Sequence, residues 1–139
     1  MNIDNIYQDM LKVDYNEKVV KAKALIKEIV KYFNTIYESR GDNNYLLMQL
    51  LGGFLGSDDK LSEKEFIFIK EILERDLDFI KIQNLLQTTT KEEVNELVDM
   101  LVNVAPEEVK NYIMNLGIIL STIDGEITES EKDFVRKFN

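Results

Sequence analysis

Six carboxylates in two short stretches are the residues of this sequence whose types and spacing suit chemistry. Asp58, Asp59 and Glu65 lie in Asp58-Asp-Lys-Leu-Ser-Glu-Lys-Glu65, and Asp124, Glu126 and Glu131 lie in Asp124-Gly-Glu-Ile-Thr-Glu-Ser-Glu131. Each stretch sets an Asp and a Glu around a tight turn. If the two stretches pack about a pseudo-twofold axis, all six carboxylates converge. Like charges so placed raise one another's pKa and are costly without a counter-ion. Such a cluster attracts a hard divalent cation that takes oxygen ligands: calcium, magnesium or manganese. The sequence has no Cys and no His. A thiol nucleophile, an imidazole base, a disulfide and a zinc site of the usual Cys/His kind are therefore excluded. The loops are not EF-hands, which alternate their acidic or amide ligands ahead of a central glycine. Here Gly125 follows Asp124 directly.

The same residues have a purely structural account. Ser62 and Thr128 are well placed as N-caps. Glu65 and Glu131, three positions on, can reach back to the cap amide and complete a reciprocal capping box. Glu63 and Glu129 meet the positive end of the helix in its first turn. Leu61 and Phe66 make a hydrophobic staple across the first start; the second copy has Lys132 in the place of Phe66 and loses it. Asp58 and Asp124 accept amides within their own turns. Gly125 supplies a positive φ where the turn needs one, and Asp59 holds that place in the first copy. Capping and cation binding both remain open at this point.

The two stretches belong to a longer duplication. A constant offset pairs Met48 with Met114, Leu50 with Leu116, Asp58 with Asp124, and Leu61 with Ile127. It also pairs Ser62 with Thr128, Glu63 with Glu129, Glu65 with Glu131 and Phe68 with Phe134. Register across acidic, hydroxyl and apolar positions indicates one helix–loop–helix unit used twice, over about 43–75 and 109–139. Ahead of these units, helices are expected over about 3–38. Ile3–Leu11 presents Ile3, Ile6, Tyr7, Met10 and Leu11 on one helical face. Asp14-Tyr-Asn-Glu17 opens a long helix reaching about Glu38. Its Val19, Ala22, Ile26, Ile29, Phe33 and Ile36 form a core stripe, since the pattern covers too few heptads for a coiled coil.

The first repeat helix, about Asn44–Leu55, is weakened by Gly52, Gly53 and Gly56, read as places where another backbone comes close. Ser62 starts a helix to about Glu74 that buries Phe66, Ile69, Ile72 and Leu73. Asp76–Leu86 reads as a short helix with Leu77, Ile80 and Leu85 inward. Thr90-Lys-Glu-Glu93 is another capping box, ahead of a helix with Val94, Leu97, Val98, Leu101 and Val102 on one face. Pro106 is expected in the first turn of a helix running to about Ile123. Glu129–Phe138 forms the last helix. No stretch alternates long enough for a strand. The expectation is a single all-α domain over 1–139, a helical bundle of about seven or eight helices with an internal pseudo-twofold helix–loop–helix repeat.

With 139 residues at 45% apolar content, a sizeable core is available. Met1–Leu11 carries Asp4 and Asp9 where a signal peptide needs a basic region and an apolar run. The longest apolar stretches fall far short of a membrane span. A cytoplasmic location follows as the expectation. The formal net charge of −9 argues against nucleic acid as partner, and is compatible with cations or a basic protein. The abundance of Asn, Ile and Lys suits an AT-rich bacterial or phage genome.

The doubled Asp-Gly/Asp-x-Ile/Leu-Ser/Thr-x-x-Glu pattern, set between an apolar helix and an amphipathic one, resembles the TerB-like family, the tellurite-resistance protein B group. Similar modules occur at one end of some J-domain co-chaperones. The resemblance covers about Asn43–Asn139. It implies an all-helical bundle with internal pseudo-symmetry, an acidic surface proposed to bind a divalent metal, and roles in tellurite or other stress responses. It carries the family's acidic positions onto Asp58, Glu65, Asp124 and Glu131. Asp59 stands where the first motif's glycine would be, which leaves the acidic residues in place and puts the loop's backbone geometry in doubt. The family name records a phenotype, not a reaction.

Three functions compete on this reading. The first is a non-enzymatic module that binds a divalent cation or a protein partner through its acidic end. The second is an interaction module whose loops are only helix caps. The third is a hydrolase using a metal-activated water. It is the weakest, because the sequence marks no base, nucleophile or positive stabiliser; Lys60 and Arg136 suit solvated helix charges.

Overall fold

A computed structural model gives the fold and describes residues 3–36, 43–55, 62–74, 80, 83–84, 91–123, 125 and 129–138. Seven helices are found among them, and no strand: α1 (Ile3–Leu11), α2 (Tyr15–Ile36), α3 (Asn43–Leu55), α4 (Glu63–Leu73), α5 (Lys91–Val104), α6 (Glu107–Ser121) and α7 (Glu129–Arg136). The all-α bundle read from the sequence is the observed architecture. No helix among the described residues is long and apolar enough to cross a membrane.

The axis of the bundle is α6. From Leu116 to Leu120 every residue is buried, and Ser121 and Thr122 continue the run. A helix that is apolar all round must be covered all round; α1, α2, α3 and α7 pack on it. The stripe of α2 lies chiefly along α6, with Val19, Ala22, Ile26, Ile29 and Phe33 all buried. The first turn of α2 is capped by Asp14, whose Oδ1 accepts from the Glu17 amide at 2.8 Å. α5 packs on α3, and α4 on α2. Pro106 sits one residue before α6, not inside its first turn, at φ −58° and ψ 152°. Its ring fixes a φ that suits the entry, while its ψ is extended and ends α5 cleanly.

Two glycines set how closely three helices approach. A Cβ at Gly117 of α6 would enter the Phe54 ring of α3. One at Gly53 of α3 would enter the Phe134 ring of α7 and lie 2.9 Å from Val94 Cγ1 of α5. Phe54, Phe134 and Phe138 form one aromatic cluster, with Phe54 and Phe134 edge-on at 4.8 Å. The neighbour at Gly53 is thus a ring and a valine, not a second backbone.

Two further expectations are corrected. Phe68, not Phe66, is the fully buried aromatic of α4, because the Tyr15 ring of α2 covers it edge-on at 5.8 Å; Phe66 is half-buried. Ile80 is 68% exposed, so the buried side of its segment does not run through it.

Candidate functional site

The first acidic copy is built as a cap. Ser62 is extended at φ −74° and ψ 159°, which turns its side chain onto the open end of α4. The Glu65 amide donates to Ser62 Oγ at 3.1 Å, and the Ser62 amide donates to Glu65 Oε1 at 3.1 Å. This is the reciprocal box that the spacing foretold. Asp58, Asp59 and Leu61 lie outside the described residues, as does the staple that Leu61 would make.

The second copy begins where α6 ends. Ser121 Oγ donates to the Gly117 carbonyl at 2.8 Å, and Thr122 Oγ1 to the Ile119 carbonyl at 2.8 Å. Both hydroxyls are buried and turned onto their own helix. The chain then turns, with the Gly125 amide donating to the Thr122 carbonyl at 3.1 Å and Gly125 at φ 79°. That left-handed φ is the one glycine adopts without cost. Asp124, Glu126 and Thr128 lie outside the described residues. Glu131, in the first turn of α7, is half-buried.

The junction of this copy with α1 was not anticipated. Tyr7 of α1 is 1% exposed, and its hydroxyl has no hydrogen-bond partner among the described residues. It lies beside the Ser121 hydroxyl without reaching hydrogen-bond geometry. Burial pushes the Tyr7 phenol above its usual pKa; Ser121 pulls it back, Glu131 raises it, Arg136 lowers it and Asp4 raises it. One turn away on the same face of α1, Asp4 meets Lys132 of α7 at 3.5 Å. Lys132 also reaches Glu129 at 3.8 Å, and Arg136 holds Asp133 at 2.8 Å and Glu129 at 3.8 Å. The sequence read Tyr7 as one more apolar position; helical periodicity counts a tyrosine ring and is blind to its hydroxyl.

A second buried polar group was also missed. Lys18 of α2 is 7% exposed and has no ion-pair partner among the described residues. Burial holds its ammonium below the usual lysine pKa.

Of the six candidate ligands, then, only Glu65 and Glu131 are described, and they begin helices with different neighbours: α4 rests on α2, while α7 rests on α3 and α6. Among the described residues no three carboxylates converge. The donor set is nonetheless all oxygen, as a hard divalent cation requires. An orphaned buried hydroxyl marks the second copy, where Glu131 also stands. Set against protein-family models, curated proteins and solved structures, the chain matches none.

Proposed function

We propose that this chain is a non-enzymatic, cytoplasmic module of the TerB-like kind, serving a tellurite or related stress response by binding a divalent cation through its paired acidic loops, above all the second. The supporting observation is the Tyr7 hydroxyl, buried and unpartnered beside the copy that carries Glu131. Asp124, Glu126 and Glu131 would hold the ion in the second copy, with Asp58, Asp59 and Glu65 as their counterparts. The ion supplies positive charge that lets close carboxylates stay ionised. A backbone NMR titration with calcium, magnesium and manganese tests this. Saturable shifts over residues 124–131 are the expected result; silent amides there would reduce both loops to caps.

One observation favours a second reading, in which the module binds a protein partner and its loops only cap helices. The Ser62–Glu65 box is complete and accounts for Glu65 without any ligand. On that reading, Asp58→Asn and Asp124→Asn alter folding stability alone and leave cation titrations flat.

A further inference from the structure

We infer that the outward faces of α2 and α5 are the two halves of one interface, in which α2 of one molecule receives α5 of a second copy, antiparallel, in a head-to-tail assembly. The inference is independent of the cation reading and involves neither acidic loop.

α2 is the basic element of an acidic chain. It carries five lysines against two glutamates, while the whole chain has a formal net charge of −9. α5 is its opposite, with one lysine against four carboxylates. The side of α2 turned away from the core runs through Val20, Ala24, Lys27 and Lys31, all exposed. The outward side of α5 runs through Glu92, Glu96, Asp99 and Asn103, all exposed. Both stripes step by four, three and four residues, the spacing of a helix–helix seam. Laid antiparallel, they set Lys27 on Glu96 and Lys31 on Glu92, and bring Val20 to the end of α5, where Asn103 adjoins Val104. Laid parallel, they would set Glu92 on Val20 and Glu96 on Ala24, and leave Lys31 against Asn103. Val20 is 67% exposed and Val104 65%, so the antiparallel register also joins two large apolar side chains that the fold leaves in water. Lys27, Glu92, Glu96 and Asp99 make no ion pair among the described residues. α5 packs on α3 and α2 chiefly on α6, and both stripes stay exposed, so one molecule does not join them itself. Two different patches in contact make a heterologous interface, which extends into open chains unless the rotation closes a ring. Two copies also share a net repulsion, but at about 0.1 M salt it is screened beyond about 10 Å, while the facing pairs are in contact. Exposed ion pairs are individually weak, so the association is weak and salt-sensitive.

Light scattering on the full chain tests this. At about 0.1 M NaCl the average mass should rise with concentration into the millimolar range, and about 1 M NaCl should weaken the association about tenfold. Lys27→Glu with Lys31→Glu, and separately Glu92→Lys with Glu96→Lys, should each leave the chain monomeric at the same concentrations. Mixing the two variants should restore association, because the acidic α5 of the first meets the basic α2 of the second. Lys12→Glu with Lys64→Glu shifts the net charge as far as the first pair does, lies outside both stripes, and should associate like the parent. All six positions are exposed, so the substitutions spare the core. A parent chain that stays monomeric throughout overturns the inference and leaves the α2 stripe to an acidic helix of another protein. Association that survives either reversal, that fails to return in the mixture, or that the Lys12 and Lys64 control removes equally, overturns it as well.

Discussion

Gly117 sits where a methyl group has no room. The Phe54 ring lies against it, and Phe54 is itself held by Phe134 at 4.8 Å and Phe138 at 6.3 Å. Alanine is the better helix former by about 1 kcal/mol, so propensity alone would favour Gly117→Ala. Overpacking a filled core costs about 1–3 kcal/mol, and a clamped ring cannot step aside cheaply. Gly117→Ala should therefore lower stability in urea denaturation; equal or greater stability would mean that the Phe54 ring yields. Lys18 makes the opposite case. The Lys18 side chain is 7% exposed, its partial desolvation disfavours the charged form, and an apolar chain of similar length removes that cost. Lys18→Met should stabilise the protein at pH 7 by about 1 kcal/mol. Because the folded-state pKa lies below the unfolded 10.5, the native lysine sheds its proton first and wild-type stability rises with pH across that window. The advantage of methionine should accordingly shrink as pH climbs towards 10.5.

Between helices, local and non-local information separate. The caps of α2 and α4 and the stripe of α2 were readable from the chain because each is decided within one or two turns. Ser62 and Glu65 need only each other; Val19 to Phe33 need only a period. The stripe of α4 does not single out Phe68, because its burial involves Tyr15, a residue of another helix far away in sequence. Periodicity reads Tyr7 as apolar because nothing nearby in the chain announces Ser121. The glycines of α3 suggest a close backbone, but at Gly53 the approaching groups are the Phe134 ring of α7 and the Val94 side chain of α5, neither of them legible from the local sequence. The α2–α4 contact has a testable electrostatic consequence. Burial, then the negative charge of Glu71 and a hydrogen bond to it, push Tyr15 up to about 12 from an ordinary 10.0. A raised folded-state pKa stabilises below the unfolded value and ceases to do so as pH passes through the folded one. Stability should fall between pH 10 and about 12 as the unfolded tyrosine ionises first. Tyr15→Phe should flatten that decline in pH-dependent melting. An unaltered alkaline profile would show that Tyr15 and Glu71 do not couple in solution.

For the molecule as a whole, the formal charge of −9 makes any cation stabilising to some degree, so a specific site must be told apart from screening. Monovalent salt weakens repulsion between carboxylates farther apart than about 10 Å at 0.1 M, whichever loop they belong to. A bound ion instead adds RT ln(1 + [L]/Kd), about 2.7 kcal/mol at a hundredfold excess over Kd. In a chain of this size that corresponds to a rise in Tm of about 8 °C. Calcium should therefore raise Tm well above sodium at matched ionic strength. Glutamine serves as well as glutamate at the third position of a capping box, so Glu65→Gln preserves the Ser62 cap, and each of Glu65→Gln and Glu131→Gln removes one charge at nearly constant size. With the site centred on the second copy, Glu131→Gln should abolish the calcium increment and Glu65→Gln should leave it nearly intact. Loss in both variants would mean that the two loops share one ion across the duplication, in the arrangement that six converging carboxylates first suggested. An increment equal to that of sodium would assign the acidic loops to helix capping and direct attention to a basic protein partner.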